Sequence, residues 1–242
     1  MTVKSVIRKS LARFIPSFDP ESYVQRFANK SDAEIFKEIY RKNIWGGRLT
    51  RGAYSGSGSR NRRVVDPYVS ALRGFLLKVG RPSVVDLGCG DFHVGKQFLD
   101  YSKSYVACDI VDFVIEENRR RYPGVDFIVV DATKDKLPSG EVILIRQVFQ
   151  HLSNEQISKI LPKLAEFKYA VVTEHIPAFR EFLPNLDKRT GPDHRVSMGS
   201  GIELTSPPFN LKATSLSVLC EVVEFGGIIR TTVYTQPTCF LQ

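Results

Sequence analysis

"VVDLGCGDF", residues 84–92, decides the fold. Its first half is a short β-branched apolar run that ends in Asp86, which reads as a buried strand. Its second half places Gly88 and Gly90 one residue apart, in a turn that leads into a helix. Glycine tolerates positive φ and lets a ligand come close to the backbone. A turn of this kind, at the carboxyl end of the first strand, is where an open α/β sheet binds a nucleotide-like ligand. A dinucleotide fingerprint needs a further glycine at 93, where His93 stands. Pyrophosphate is therefore not the expected ligand. An acid before the turn suits a cationic one.

The pattern continues downstream. "YVACDIV" ends a second strand in Asp109, an acid placed to accept from a ribose diol. "FIVVDAT" ends a third with Asp131, placed to accept from an adenine amino group. One acid at a strand end is often only a helix cap; three at successive strand ends beside G-x-G are a stronger signal. Strand-like runs are expected at Ser83–Leu87, Tyr105–Asp109, Val125–Val130, Val142–Arg146 and Tyr169–Thr173. Helical segments separate them, near 93–101, 112–122, 153–167 and 177–183. Short apolar strands alternating with helices predict a parallel sheet covered on both faces. Leu216–Phe225 and Ile228–Tyr234 meet at Gly226–Gly227 without a helix between them, which predicts an antiparallel hairpin. The expected fold is α/β, a doubly wound, seven-stranded, mostly parallel sheet with a final hairpin and a helical N-terminal extension.

On these residues the chain resembles the class I S-adenosylmethionine-dependent methyltransferases, over roughly Pro67 to Thr235. "VVDLGCGDF" resembles their first motif, "ACDIV" the ribose-binding acid, "VVDAT" the adenine loop and "RQVFQHLSN" (146–154) the segment after strand four. "IYRKNIWGG" and "YSGSGS" also resemble the N-terminal segment of a narrower bacterial group. The resemblance implies S-adenosylmethionine as cofactor, held by Asp86, Gly88, Cys89, Gly90, Asp109, Ile110, Asp131, Ala132, Arg146 and Gln147. Phe92 departs from it, because many members carry a third glycine there, and a changed turn shape is expected. Arg146 is open to three readings: contact with the methionine carboxylate, contact with the substrate, or a structural salt bridge.

Methyl transfer to a hydroxyl needs the nucleophile held in line and its proton removed; positioning supplies most of the gain and a general base roughly 10²–10⁴-fold. His151 is the first base candidate, although it can equally be a helix-start residue that packs over the cofactor. Glu174 and His175, in "VVTEHIP", end strand five and are expected to face the same crevice, as base or orienting groups. The long connection 191–211 has no clear periodicity, and such loops commonly shape specificity. Asp193, His194 and Arg195 in it are polar enough to contact a sugar or phosphate. His175, Asp193 and His194 lack ligand-type spacing, so no metal is expected.

The N-terminal quarter differs from the rest. Residues 1–63 hold 14 Lys and Arg against 5 Asp and Glu, whereas the remainder holds 20 against 21. This favours an anionic partner there, or else only a solvated basic face. Val6, Ile7, Leu11, Phe14 and Ile15 lie at helical spacing opposite Lys4, Arg8, Lys9 and Arg13. Residues 1–15 could thus touch a membrane surface, or pack on the domain. "SDAE" at 31–34 reads as a capping box. Two parts are expected: a basic extension over 1–63 and a cofactor-binding domain over 64–242. Within the first, Trp45–Arg63 reads either as a lid or as a flexible linker. As a lid, it would bring Tyr54 and Ser55 near the methionine end or substrate and turn Arg48 or Arg51 towards an anion. No apolar run is long enough to span a membrane, no secretory signal stands at the start, and four scattered cysteines form no CxxC pair. A cytoplasmic compartment is expected.

The preferred acceptor is a hydroxyl of a sugar, polysaccharide intermediate or other small molecule. An RNA or protein methyltransferase that uses the basic extension is the alternative, and a non-catalytic S-adenosylmethionine-binding module is a third. Base N-methylation is disfavoured, because "RQVF" stands where an NPPF-type tetrapeptide would be needed. The sequence does not determine an oligomeric state.

Overall fold

The computed structural model describes residues 26–46, 52–179, 181–224 and 226–236. Two compact units are present, Met1–Ser31 and Asp32–Gln242. Of the first, only residues 26–31 are described. The basic helix expected over 1–15, together with Arg48 and Arg51, therefore lies outside the described residues. The boundary expected after residue 63 falls inside the second unit. Its first helix, α1 (Asp32–Arg41), buries Ile35, Ile39 and Tyr40. Tyr40 joins Val111 and Val114 in a small core with Phe36 and Trp45 against it.

The sheet has seven strands: β1 (Ser83–Leu87), β2 (Ser104–Asp109), β3 (Asp126–Val129), β4 (Val142–Arg146), β5 (Tyr169–Pro177), β6 (Ser215–Glu224) and β7 (Gly227–Thr235). Their order is β3-β2-β1-β4-β5-β7-β6. The first five pair in parallel, and β7 pairs antiparallel with both β5 and β6. The order reverses between β1 and β4, and that switch point opens the crevice where ligands of such sheets bind.

Alternate side chains of the strands enter two cores. Val84, Val142, Leu144 and Val171 pack under Val65, Tyr68, Leu72 and Leu76 of α2 (Arg62–Lys78). Val85, Ile143, Ile145, Ala170 and Val172 pack against Ile157 and Ile160 of α4 (Asn154–Ile160) and against Leu164 and Phe167. Both helices are capped. The Asn61 side chain accepts from the Arg63 N–H, and Ser153 forms a capping box with Gln156. The third helix, α3 (Asp112–Arg121), follows β2.

Two expectations fail locally. The helix expected over 177–183 is replaced by the end of β5 and by irregular chain in the residues described there. The reason is non-local. Glu174–Pro177 have no parallel neighbour left on β4, yet they continue to pair with Arg230–Gly227 of β7. The segments at Gly95–Tyr101 and Leu161–Glu166 are 3-10 rather than α-helical. Among the described residues no helix is long and apolar enough to cross a membrane.

Candidate active site

The turn after β1 is tied to β2 by backbone and by one acid. The N–H groups of Gly88 and Cys89 donate to the Cys108 carbonyl at 2.8 and 2.9 Å. The Gly90 N–H donates to Asp109 Oδ2, and the Val111 N–H to Asp109 Oδ1, both at 3.0 Å. Gly88 and Gly90 have φ of 77° and 53°. A side chain at Gly88 would bring its Cβ within 2.4 Å of Val148 Cγ2. Phe92 also takes the left-handed region, at φ 57°, so it keeps the kind of backbone that a glycine adopts freely. Its fully buried ring, set edge-on to Tyr105, Tyr122 and Phe127, holds that strained conformation in place.

A cavity of about 350 Å³ opens over these strand ends. Asp86, Gly88, Cys89, Gly90, Asp109 and Ile110 line its β1–β2 side, with Asp131 and Ala132 beyond. Asp86 accepts from the Tyr105 hydroxyl at 2.9 Å, and burial pushes its carboxyl up to about 6. Burial likewise raises Asp109, against the backbone donors of Val111, Gly90 and Ile110 that favour its charge. Asp131 moves the other way: burial opposes the shift, but hydrogen bonds from Lys134 and Thr133 outweigh it and hold the carboxyl below its ordinary range. Arg146, Gln147 and His151 line the side formed after β4, with His175 from β5 and His194 from the loop that follows. Gln147 has φ 54°, an uncommon conformation for a side-chain-bearing residue and one that clusters at functional sites.

The segment that reads as lid or linker is described at residues 45–46 and 52–63 and closes one wall. The Asp91 N–H donates to Ser55 Oγ at 2.8 Å, and the Asp91 carboxylate receives Arg60 Nη2 at 2.6 Å and the Ser55 N–H at 3.3 Å. Tyr40 shares a hydrogen bond with Ser55, and Arg146 Nη2 donates to the Gly58 carbonyl at 2.8 Å. Ser55–Ser59 line the cavity. Tyr54 is not among its lining residues; its ring turns instead to the Arg60 guanidinium, 5.8 Å away. Trp45 does line the cavity. It rests on His151 with ring centroids 5.0 Å apart, and its Nε1 donates to the Pro192 carbonyl.

The base candidates separate. Glu174 does not share the crevice with His175, because successive strand residues face opposite sides. Its carboxylate instead receives the N–H groups of Phe149 and Gln150, at 3.0 and 2.9 Å, beneath the turn that carries His151. Burial pushes Glu174 up to about 8. A carboxyl raised on folding contributes its full stability below its unfolded value and loses it as pH rises through the folded one. Stability should therefore decline between about pH 4.5 and 8, and urea melts of Glu174→Gln should show a flatter decline. An unchanged slope would remove Glu174 as its source.

His151 has both ring nitrogens engaged. Nδ1 lies 3.3 Å from the Asp193 carbonyl, and Nε2 lies 3.1 Å from Gln150 Nε2. Burial pushes its pKa down to about 3. Asp193 does not line the cavity; its carboxylate turns to Lys188. His194 does line it, with its ring 5.1 Å from that of His175. Burial, then the neighbouring His175, lowers His194 to about 4, and its Nδ1 is buried without a hydrogen-bond partner. Arg195, polar enough to contact a sugar or phosphate from a loop, is fully buried.

The sequence reading gave Asp91 and Glu224 no role. Asp91 stands directly after Gly90, inside the deciding stretch, and that adjacency was the available signal. Glu224 reaches the cavity only through the pairing of the hairpin, and nothing local announced it.

Residues 84–167 match the family described as a methyltransferase domain. No curated protein sequence matches the chain. Several solved structures share the fold at low identity. One is the N-methyltransferase NodS from Bradyrhizobium japonicum WM9 in complex with S-adenosyl-L-homocysteine, at 13% identity, with 86% of this chain and 100% of that chain covered and a TM-score of 0.57. Another is magnesium protoporphyrin IX methyltransferase from Synechocystis PCC 6803 with bound S-adenosylmethionine, at 14% identity, 86% and 99% coverage and a TM-score of 0.55. Human N-acetylserotonin methyltransferase gives 14% identity, a TM-score of 0.57, and coverage of 89% of this chain and 62% of that one.

Proposed function

We propose, on the premise that this chain is a class I S-adenosylmethionine-dependent methyltransferase, that it methylates a hydroxyl of a small polar acceptor such as a sugar. The cavity fits the cofactor by its donor set. Asp109 lines it with a carboxylate that accepts from backbone N–H groups at both oxygens, out of about four acceptor sites. Asp86, Gly88, Gly90, Asp109 and Asp131 would hold the cofactor. When bound, it supplies a methyl group made electrophilic by the sulfonium.

The observation that carries the acceptor assignment is the placing of His194 on the cavity wall, its ring 5.1 Å from that of His175. Its depressed pKa keeps the imidazole neutral near pH 7, the form that accepts a hydrogen bond from a hydroxyl and takes its proton. Gln147 and Glu224 line the same cavity and supply further partners for a polyhydroxylated molecule, while His175 Nε2 is held by the Glu224 carbonyl at 3.0 Å. His151, with both nitrogens occupied, acts here as a wall that supports Trp45.

The test is release of S-adenosylhomocysteine with sugar, lipid-linked and RNA acceptors. A sugar or other small hydroxyl compound should turn over. His194→Ala should lower kcat about 100-fold with cofactor affinity kept, and His151→Ala should have the smaller effect on kcat. The acid limb of kcat/KM should lie near the lowered pKa of about 4 rather than near 6.5. Turnover on RNA alone would move the acceptor to the alternative class. Cofactor binding without turnover on any acceptor would favour a binding module.

A further inference from the structure

The arginines around the cavity are answered unequally. Arg60 meets the Asp91 carboxylate at 2.6 Å. Arg195 spreads its guanidinium over five oxygens. Arg146 has one, the Gly58 carbonyl. Its Nε is buried with no partner, and its guanidinium lies 5.0 Å from the centroid of the Tyr68 ring. Among the described residues no carboxylate forms an ion pair with it. Asp86 and Glu174 influence its charge only from beyond ion-pair distance. A half-buried guanidinium without a counter-ion still bears part of the desolvation cost of its charge, and the aromatic face with one carbonyl compensates only in part. The donors left on Nη1 and Nη2 suit a carboxylate or phosphate.

The place of Arg146 in the sheet says which ligand the anion belongs to. It ends β4 and is registered against Thr173 of β5, on the side of the switch point that leads to His175 and His194. The acids read as cofactor contacts stand on the other side, at the ends of β1 to β3. We infer that Arg146 is an anion-recognition residue for the acceptor, so that the methylated hydroxyl belongs to a molecule that also carries a carboxylate or phosphate, such as an acidic or phosphorylated sugar. This rests on the methyltransferase reading above, and it narrows the substrate class within it.

The test uses the full chain loaded with S-adenosylhomocysteine, titrated calorimetrically with D-glucuronate, glucose 6-phosphate and neutral D-glucose. Emission of Trp45, the single tryptophan in the chain and part of the cavity wall, gives a second readout. The two anions should bind at least about tenfold more tightly than glucose. Arg146→Met should abolish that preference, leave S-adenosylhomocysteine affinity within about twofold, and keep or raise the melting temperature. Equal binding of anionic and neutral sugars by the wild type, or no binding of either anion, overturns the proposal without recourse to any variant. A tenfold loss of S-adenosylhomocysteine affinity in Arg146→Met also overturns it, by returning the guanidinium to the cofactor. Should the Met variant not fold, Arg146→Lys decides: it should keep a weakened preference for the anions, and an undiminished one would rule out recognition by the guanidinium fork. Failure of the wild type to bind S-adenosylhomocysteine is a separate result that removes the underlying reading as well.

Discussion

Arg195→Met is expected to destabilise the protein by about 3–5 kcal/mol, a loss of the size seen when a buried, fully hydrogen-bonded charge is removed. Arg195 is 0% exposed. Its Nε donates to the Leu186 carbonyl, Nη1 to those of Phe149 and Gln150, and Nη2 to the Leu152 carbonyl and the Asn154 side chain. Methionine fills much of the volume but strands these acceptors away from water, and each buried acceptor left alone costs about 1–3 kcal/mol. The loss should not stay local. Glu174 grips the same turn from its other side, through the Phe149 and Gln150 N–H groups. One turn is thus held by a carboxylate on its donors and a guanidinium on its acceptors. For a chain of this size the melting temperature should fall by roughly 6–20 °C. Thermal melts and urea titrations measure it directly; a loss below 1 kcal/mol would mean that water or a repacked side chain replaces the guanidinium.

The same residue shows what the sequence could not convey. "DHR" at 193–195 offered three polar side chains in a loop, and a loop arginine is ordinarily exposed. Its burial depends on the 149–154 turn some forty residues earlier, a contact that no local pattern encodes. The strands were legible for the opposite reason, since short β-branched runs ending in Asp or Gly carry their assignment locally. β5 was legible only as far as Thr173, because the rest of it exists through pairing with β7. Glu174 and His175 were placed together by adjacency, although the two-residue period of a strand already argued for opposite faces. The Gly/Ser/Arg stretch was ambiguous because its composition is that of a linker, while its order comes from Asp91 and Arg146.

Asp109→Ala should weaken S-adenosylhomocysteine binding about 100-fold or more. Asp109 is 7% exposed and lines the cavity. Two hydrogen bonds from a ribose diol to a charged acceptor contribute about 1.5–3 kcal/mol each, and roughly 2.7 kcal/mol already corresponds to 100-fold. The substitution also releases the Gly90 N–H, so the glycine turn loosens as the ligand contact is lost, and the two losses act in the same direction. Asp131→Ala is the internal comparison. Asp131 is bound to Thr133 and Lys134 and is less buried, so its loss should weaken binding only about tenfold. Calorimetric titration of both variants separates two accounts of the site. If the acids act through the ligand in proportion to their burial, Asp109 should exceed Asp131 by about a factor of ten. Equal effects would mean that β2 and β3 contribute alike, and a loss below threefold at Asp109 would show that its carboxylate serves the glycine turn rather than the cofactor.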